Sequence, residues 1–282
     1  MIERTAQTKG YSLNKLCLYF DYCRSSYYKS LNSQGATILN EELIEMLVND
    51  IRRYQPRIGG KKLYHLLKDD LHKIDAGLGR DKFFDILRNK QLLVKRRKKY
   101  VYTTNSFHRF RVYKNALKNK LLTAPHQALV SDITYLRVNG GFVYLFLITD
   151  AYSRKITGWS LSQSLSIEGA IEALKMAVKQ CPKPEGLIHH SDRGIQYCSN
   201  GYVELLNKNK MVISMTVENH CYENAMAERV NGILKDEFLL DAKFANKSIA
   251  LKAVKQAIET YNTRRPHWSL KLYTPEQIHK AA

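Results

Sequence analysis

No stretch of this chain stays apolar for the roughly 20 residues that a bilayer span requires, so a membrane protein is not expected. Residues 1–12 hold no apolar segment that could act as a secretory signal, and the cytoplasm is the expected location. The five cysteines (Cys17, Cys23, Cys181, Cys198, Cys221) are odd in number and form no C-x-x-C pair. Neither a disulfide framework nor a common zinc finger is therefore expected. Prolines are few, and no internal repeat or low-complexity segment interrupts the 282 residues. What remains is a folded chain long enough for two or three units.

Acidic residues are scarce in one half. Residues 1–120 hold 26 Lys and Arg against 11 Asp and Glu, and the remainder holds 19 against 15, so most of the net +19 sits at the front. Such asymmetry predicts a basic N-terminal portion that neutralises phosphates, followed by a portion with another task. An acidic membrane surface competes less well as the partner, because no basic amphipathic helix with an aromatic face stands out.

Periodicity divides the chain further. Leu13, Leu16, Cys17 and Phe20 recur at helical spacing, Asp21-Tyr22-Cys23 reads as a turn, and residues 24–28 read as a short second helix, a helix-turn-helix-like segment over 1–35. Residues 36–100 read as a basic helical DNA-binding domain, with helices over 41–54, 61–71 and 80–93 and a basic arm of Arg96, Arg97, Lys98 and Lys99. A basic linker over 101–125 follows. From 126 to 240 the texture becomes β-rich: strands over 126–137, 142–149 and 155–161 around an Asn139-Gly140-Gly141 turn, then helix, strand, helix, strand and a long helix over 223–238. This order predicts an α/β unit, a mixed sheet flanked by helices. Residues 241–282 read as a C-terminal helix and a basic tail. Trp159 and Tyr135 are expected in the core.

Three acids stand out by position. Asp132 lies inside a strand, where a carboxylate is costly unless a cation meets it. Asp192 follows an apolar strand directly, where open α/β sheets carry ligand groups, although Ser-Asp-Arg-Gly is also an ordinary turn. Glu228 lies on the last long helix, away from the apolar face of Met226, Val230, Ile233 and Leu234, and shares its own face with Lys235. Singly, each suits a structural role. Together they match metal-assisted phosphoryl chemistry, in which carboxylates hold two magnesium or manganese ions that activate one oxygen and stabilise another. Asp150 is a rival acid, but it begins a turn and reads as structural.

The words around these acids are Ser131-Asp132-Ile133-Thr134-Tyr135, His190-Ser191-Asp192-Arg193-Gly194, Glu223-Asn224-Ala225-Met226-Ala227-Glu228 and Tyr261-Asn262-Thr263-Arg264-Arg265-Pro266-His267, with 35 residues between Asp192 and Glu228. This pattern resembles the retroviral-integrase-like transposases encoded by the second reading frame of bacterial insertion sequences of the third (IS-three) family, over nearly the whole chain. The resemblance implies a ribonuclease-H-like fold and strand cleavage and transfer on double-stranded DNA, with Asp132, Asp192 and Glu228 as catalytic residues and ligands of two Mg2+ or Mn2+ ions. Water and then a DNA 3′-hydroxyl would be the nucleophiles. It also implies an upstream-frame protein as fusion partner, and synapsis of two ends implies a homo-oligomer on DNA. Two departures are visible: Arg229 follows the acid where a small residue is usual, and residues 1–40 lack the histidines of an integrase zinc module.

Arg193, Lys235, Arg264, Arg265 and His267 join the basic arm as expected DNA contacts. His190 reads equally as a group orienting a metal-bound water and as a strand histidine; a zinc site from His189, His190, Cys198, His220 and Cys221 matches no common spacing. A tyrosine recombinase using Arg265, His267 and Tyr273, a ribonuclease-H-type nuclease, and a non-catalytic DNA-binding regulator are the competing readings.

Overall fold

The apolar run from Phe142 to Thr149 becomes a central strand in a computed structural model of the chain, which describes residues 12–21, 23–95, 110–217 and 224–281. Two compact units result, Met1–Ile51 with Gly59–Val94, and Arg52–Ile58 with Lys95–Ala282.

The first unit is helical: α1 (Leu13–Tyr19), α2 (Arg24–Arg52), α3 (Gly60–Ile74) and α4 (Arg80–Asn89). Ser12 caps α1 by accepting from the Lys15 amide, and Asp21 leaves the helix with a positive φ of 54°. Ile44, Val48, Leu63, Leu71, Phe83 and Leu87 are buried in this unit. One expectation is corrected. Residues 24–28 and 41–54 are not separate helices but parts of the 29-residue α2, and position 35/36 lies inside it. No proline interrupts the segment, and Gly35 costs only about 1 kcal/mol relative to alanine, too little to end a helix.

The second unit is a mixed sheet. Its strands are β1 (Ala128–Val138), β2 (Gly141–Asp150), β3 (Ile156–Ser162), β4 (Ile188–Ser191), β5 (Val212–Met215) and the short β6 (Lys243–Phe244). They lie in the order β3-β2-β1-β4-β5, with β6 also on β1. β2 runs antiparallel to β1 and β3, whereas β4 and β6 run parallel to β1, and β5 parallel to β4. The β1–β2 turn uses Gly140 and Gly141 at φ of 86° and 150°, values that side-chain-bearing residues rarely adopt. The helices are α5 (Ile167–Gln180), α6 (Ile195–Cys198), α7 (Asn200–Lys208), α8 (Ala225–Glu237), α9 (Lys247–Thr263) and α10 (Pro275–Lys280).

Alternation along β2 explains why its sequence is apolar throughout. Val143, Leu145 and Leu147 enter a core with Val230, Leu234, Val254 and Tyr261, that is, with α8 and α9. Phe146 and Ile148 enter the core on the other face with Ala173 and Leu174 of α5 and Tyr202 of α7. A strand covered on both faces has no polar side to show. Among the described residues no helix is long and apolar enough to cross a membrane.

The expected basic tail folds back onto the sheet unit. Thr274 and Gln277 form a capping box at α10. The Lys155 ammonium meets the Glu276 carboxylate at 2.8 Å, and Ser153 Oγ lies 2.9 Å from His279 Nδ1. β6 and α10, neither expected from the sequence, thus turn the C-terminal segment into part of the packed unit.

Packing between β3 and α5 leaves no room for a side chain at Gly158, where an added Cβ would stand 2.1 Å from the Ala173 carbonyl oxygen and 2.9 Å from Ala177 Cβ. Backbone cannot yield as a flexible side chain does. Gly158→Ala is expected to destabilise the chain by about 2–3 kcal/mol, read as a lowered urea midpoint; an unchanged midpoint would contradict the packing.

Candidate active site

Side-chain parity directs two of the three acids to one face. On β1, Val130, Asp132, Leu136 and Val138 alternate away from Leu129 and Ile133, and their face is the one covered by α8. On β4, Ile188 packs with Val130 and with Ala227 of α8, so position 192, four residues on, shares its parity. The parallel register ends at Val130 with His190, and each acid follows two residues after its strand's member of that pair.

Hydrogen bonds fix both carboxylates. Asp132 Oδ1 accepts from the Ile133 amide at 3.0 Å, and Oδ2 accepts from Asn231 Nδ2 of α8 at 2.7 Å. Asp192 Oδ1 accepts from the Gly194 amide at 2.9 Å, a loop in which any Cβ at Gly194 would crowd the same oxygen at 2.9 Å. Glu228 sits in the first turn of α8, with its side chain exposed. Burial raises the Asp132 pKa to about 7, and the charges of Asp192 and Glu228 add to this rise, while the bonds from Asn231 and Ile133 oppose it. The three acids are therefore near enough to feel one another. Among the described residues, however, no three His, Cys, Asp or Glu side chains already converge as a metal-holding group.

The opposite face locks the strands that carry the acids. Ser131 Oγ and Tyr202 Oη lie 2.7 and 2.9 Å from His189 Nε2, joining β1, β4 and α7. Burial, reinforced by His190, lowers the His189 pKa to about 3, so the ring stays neutral. His190, at the parity of Ile188 and so on the face of the acids, is fully buried with Nδ1 2.8 Å from Ser214 Oγ of β5. Cys198 directs its sulfur to Met215 at 3.7 Å. With these partners the described members of the zinc reading are engaged elsewhere; His220 and Cys221 lie outside the described residues. Asp150 is fully buried and accepts from the amides of His126, Tyr152 and Ser153, the structural role expected of it.

The expected DNA contacts divide. Lys235 follows Asn231 by one turn, stands 4.3 Å from the centroid of the half-buried Tyr135 ring, and has its pKa lowered by burial despite attraction to Asp132. Tyr135 is thus a platform for this cation rather than a core residue, whereas Trp159 packs against the core as expected. Arg193 Nε donates to the Thr216 carbonyl at 2.9 Å and is half-buried. Arg264 is exposed and stacks over Tyr54 at 4.8 Å. Arg229 is exposed on α8, in a groove that Glu228, Asp236 and Glu237 also line. Arg96, Arg97, Lys98 and Lys99 lie outside the described residues.

Arg265 and His267 are corrected in the free chain. Arg265 is 3% exposed and grips Glu237 through Nε and Nη2, each at 2.7 Å. His267 is 6% exposed and packs edge-on against Tyr261. Arg265 thus holds the end of α9 to the end of α8, and with His267 buried against Tyr261 the arginine and histidine of the recombinase reading are both engaged in the interior.

Asn231 and Asn224 are the site residues that sequence reasoning missed. Asn224 Nδ2 donates to the Ser131 carbonyl at 3.2 Å, tying the start of α8 to β1 next to Asp132. The available signal was Asn231, three residues after Glu228 and four before Lys235, at the border of the apolar face of the helix.

Comparison with known proteins follows this geometry. Two family models described as integrase core domain match residues 123–221 and 209–275. The insertion element IS600 uncharacterized 31 kDa protein of Shigella sonnei is 32% identical over 273 residues, 95% of this chain and 100% of that protein. Transposase InsF for insertion sequence IS3A of Escherichia coli (strain K12) is 34% identical over 194 residues, 68% of this chain and 67% of that protein. Among solved structures, the HTLV-2 integrase catalytic core domain in complex with magnesium aligns with a TM-score of 0.45 at 21% identity, over 55% of this chain and 97% of that one.

Arg265→Ala takes two charge-assisted hydrogen bonds from the half-buried Glu237 and is expected to cost about 1.5–3 kcal/mol in chemical denaturation. Arg264→Ala, removing an exposed stacked cation, is expected to cost less than about 1 kcal/mol; equal losses would contradict the division between them.

Proposed function

The chain belongs to the insertion-sequence transposases of the IS3 family, with an integrase-like core, and we propose that Asp132, Asp192 and Glu228 are the residues with which it cuts and joins DNA. The family's activity is polynucleotidyl transfer on DNA, and folds of the integrase type generally use divalent metal ions. The observation that carries the proposal is the carboxyl of Asp132, seated in the central strand and raised first by burial, then by the charge of Asp192 and least by that of Glu228. A buried carboxyl raised by neighbouring carboxylates is relieved by positive charge placed beside it. Hard oxygen donors suit magnesium or manganese, so the donor set fits.

Two such ions, when bound, activate the attacking oxygen and stabilise the leaving oxygen of the phosphodiester. The chain's own residues prepare that event. Asn231 and the Ile133 amide each take one oxygen of Asp132, so its carboxylate cannot rotate, and the Gly194 amide does the same for Asp192. Glu228, in the first turn of α8, would be the third acid of the set. No side chain is needed as a nucleophile: water attacks in cleavage, and a DNA 3′-hydroxyl attacks in strand transfer. Lys235, Arg193 and Arg264 supply cations for the phosphates flanking the scissile bond, and the basic helical region 36–100 holds the duplex through its backbone. Upstream-frame polypeptide, if joined to the chain, adds recognition of the element's ends rather than chemistry.

Asp192→Asn is expected to abolish magnesium-dependent cleavage of labelled element ends while leaving DNA affinity unchanged or raised. The same variant is also expected to lose the rise in melting temperature that magnesium gives the parent chain. Cutting at the parental rate would overturn the assignment, and so would an undiminished thermal response to the ion.

A further inference from the structure

Helix α2 is apolar on two opposite faces. Ile44 and Val48 are fully buried in the first unit. About 180° around the helix, at the α-helical period, Tyr28, Leu31, Ile38, Leu39, Leu43 and Met46 form a second stripe whose members are 37–68% exposed. Six large apolar side chains aligned in water are a feature of a surface that meets another protein. Gly35 stands at the middle of this stripe, and an added Cβ there would touch nothing within 4 Å. Glycine is a poor choice for a helix interior, so its use in the middle of α2 suits a neighbour whose backbone comes close.

The distribution of charge selects the neighbour. Arg24 and Lys29 lie at the N-terminal end of α2, and Glu41, Glu42, Glu45 and Asp50, against Arg52 alone, lie toward its C-terminal end. Arg24 and Glu42 are both exposed and both fall within the apolar stripe. We propose that this stripe is a homodimer interface, formed by α2 of two copies of the chain packed antiparallel and crossing at Gly35. The two-fold axis then sets Leu31 of one copy against Leu39 of the other, and Tyr28 against Glu42, since each pair of positions is centred on 35. It brings the basic end of each helix to the acidic end of its mate, whereas parallel pairing sets like charge beside like. Antiparallel helices also oppose their dipoles favourably. An ordinary interface needs about 800 Å² from each partner, and the stripe with its polar flanks, running along about 33 Å of helix, reaches that order. The interface uses residues of the first unit alone and the acids belong to the second, so its failure and the failure of the catalytic assignment are separable.

Sedimentation equilibrium of the full chain is expected to give a dimer of twice the 32.7 kDa chain mass. Ile38→Lys with Leu39→Glu is expected to give a monomer with unchanged helicity. Arg24→Glu and Glu42→Arg are each expected to weaken the dimer about tenfold, and the double reversal to restore it. In a Cys23→Ser background, a mixture of Leu31→Cys and Leu39→Cys chains is expected to form the mixed disulfide in preference to either homodisulfide. A chain that stays monomeric, or a dimer indifferent to these changes, would overturn the proposal. Homodisulfides at 31 and at 39 in place of the mixed one would overturn the antiparallel arrangement.

Discussion

A carboxylate in the middle of a central β-strand is the constraint around which the sheet unit is arranged. Leaving Asp132 there charged and unattended would be costly, so two hydrogen bonds reach it, one from its own strand and one from α8. Those bonds only partly offset burial and the repulsion from Asp192 and Glu228, and the carboxyl titrates near neutrality, about 7, instead of in the ordinary acid range. The site is therefore held in tension. The docking of α8, which supplies both Asn231 and Glu228, is what keeps that tension organised.

The rest of the unit makes the docking rigid. Val230, Ile233 and Leu234 bury one face of α8 against β1, β2 and α9, Asn224 fastens its first residue to β1, and Glu237 at its far end is clamped by Arg265. Behind the sheet the neutral His189 links Ser131 and Tyr202, and on the face of the acids His190 links β4 to Ser214, so β1, β4 and β5 keep their register. Register is what matters, because slipping β4 by one residue would turn Asp192 to the opposite face. Polar groups that look incidental in the sequence thus set the separation of the two strand acids.

Much of this was legible beforehand, and the exceptions have physical causes. Strands β1 to β3 carry β-branched and aromatic residues around a glycine turn, and α5 has a clean amphipathic period, so local pattern and tertiary environment agree there. The acids were legible because each interrupts such a pattern. Helix α2 was read as two pieces because its apolar residues occupy two faces, which erases the single-faced period on which helix recognition depends. Arg265 and His267 looked like their neighbour Arg264, since composition does not tell an arginine paired in the interior from one stacked at the surface. Asn231 was missed for a related reason: its spacing from Glu228 and Lys235 gains meaning only once the carboxylate it holds is known. β6 and α10 are too short to show a period at all, and only their pairing to β1 and to the β2–β3 turn makes them elements.

The central claim is that Asp132, Asp192 and Glu228 form one centre for hard cations. Anomalous scattering from crystals of the chain grown with manganese tests it most directly. The account predicts manganese peaks within bonding distance of the Asp132 and Asp192 carboxylates, with Glu228 drawn in from the first turn of α8. Manganese bound elsewhere, or absent from the space between the two strand acids, would contradict it.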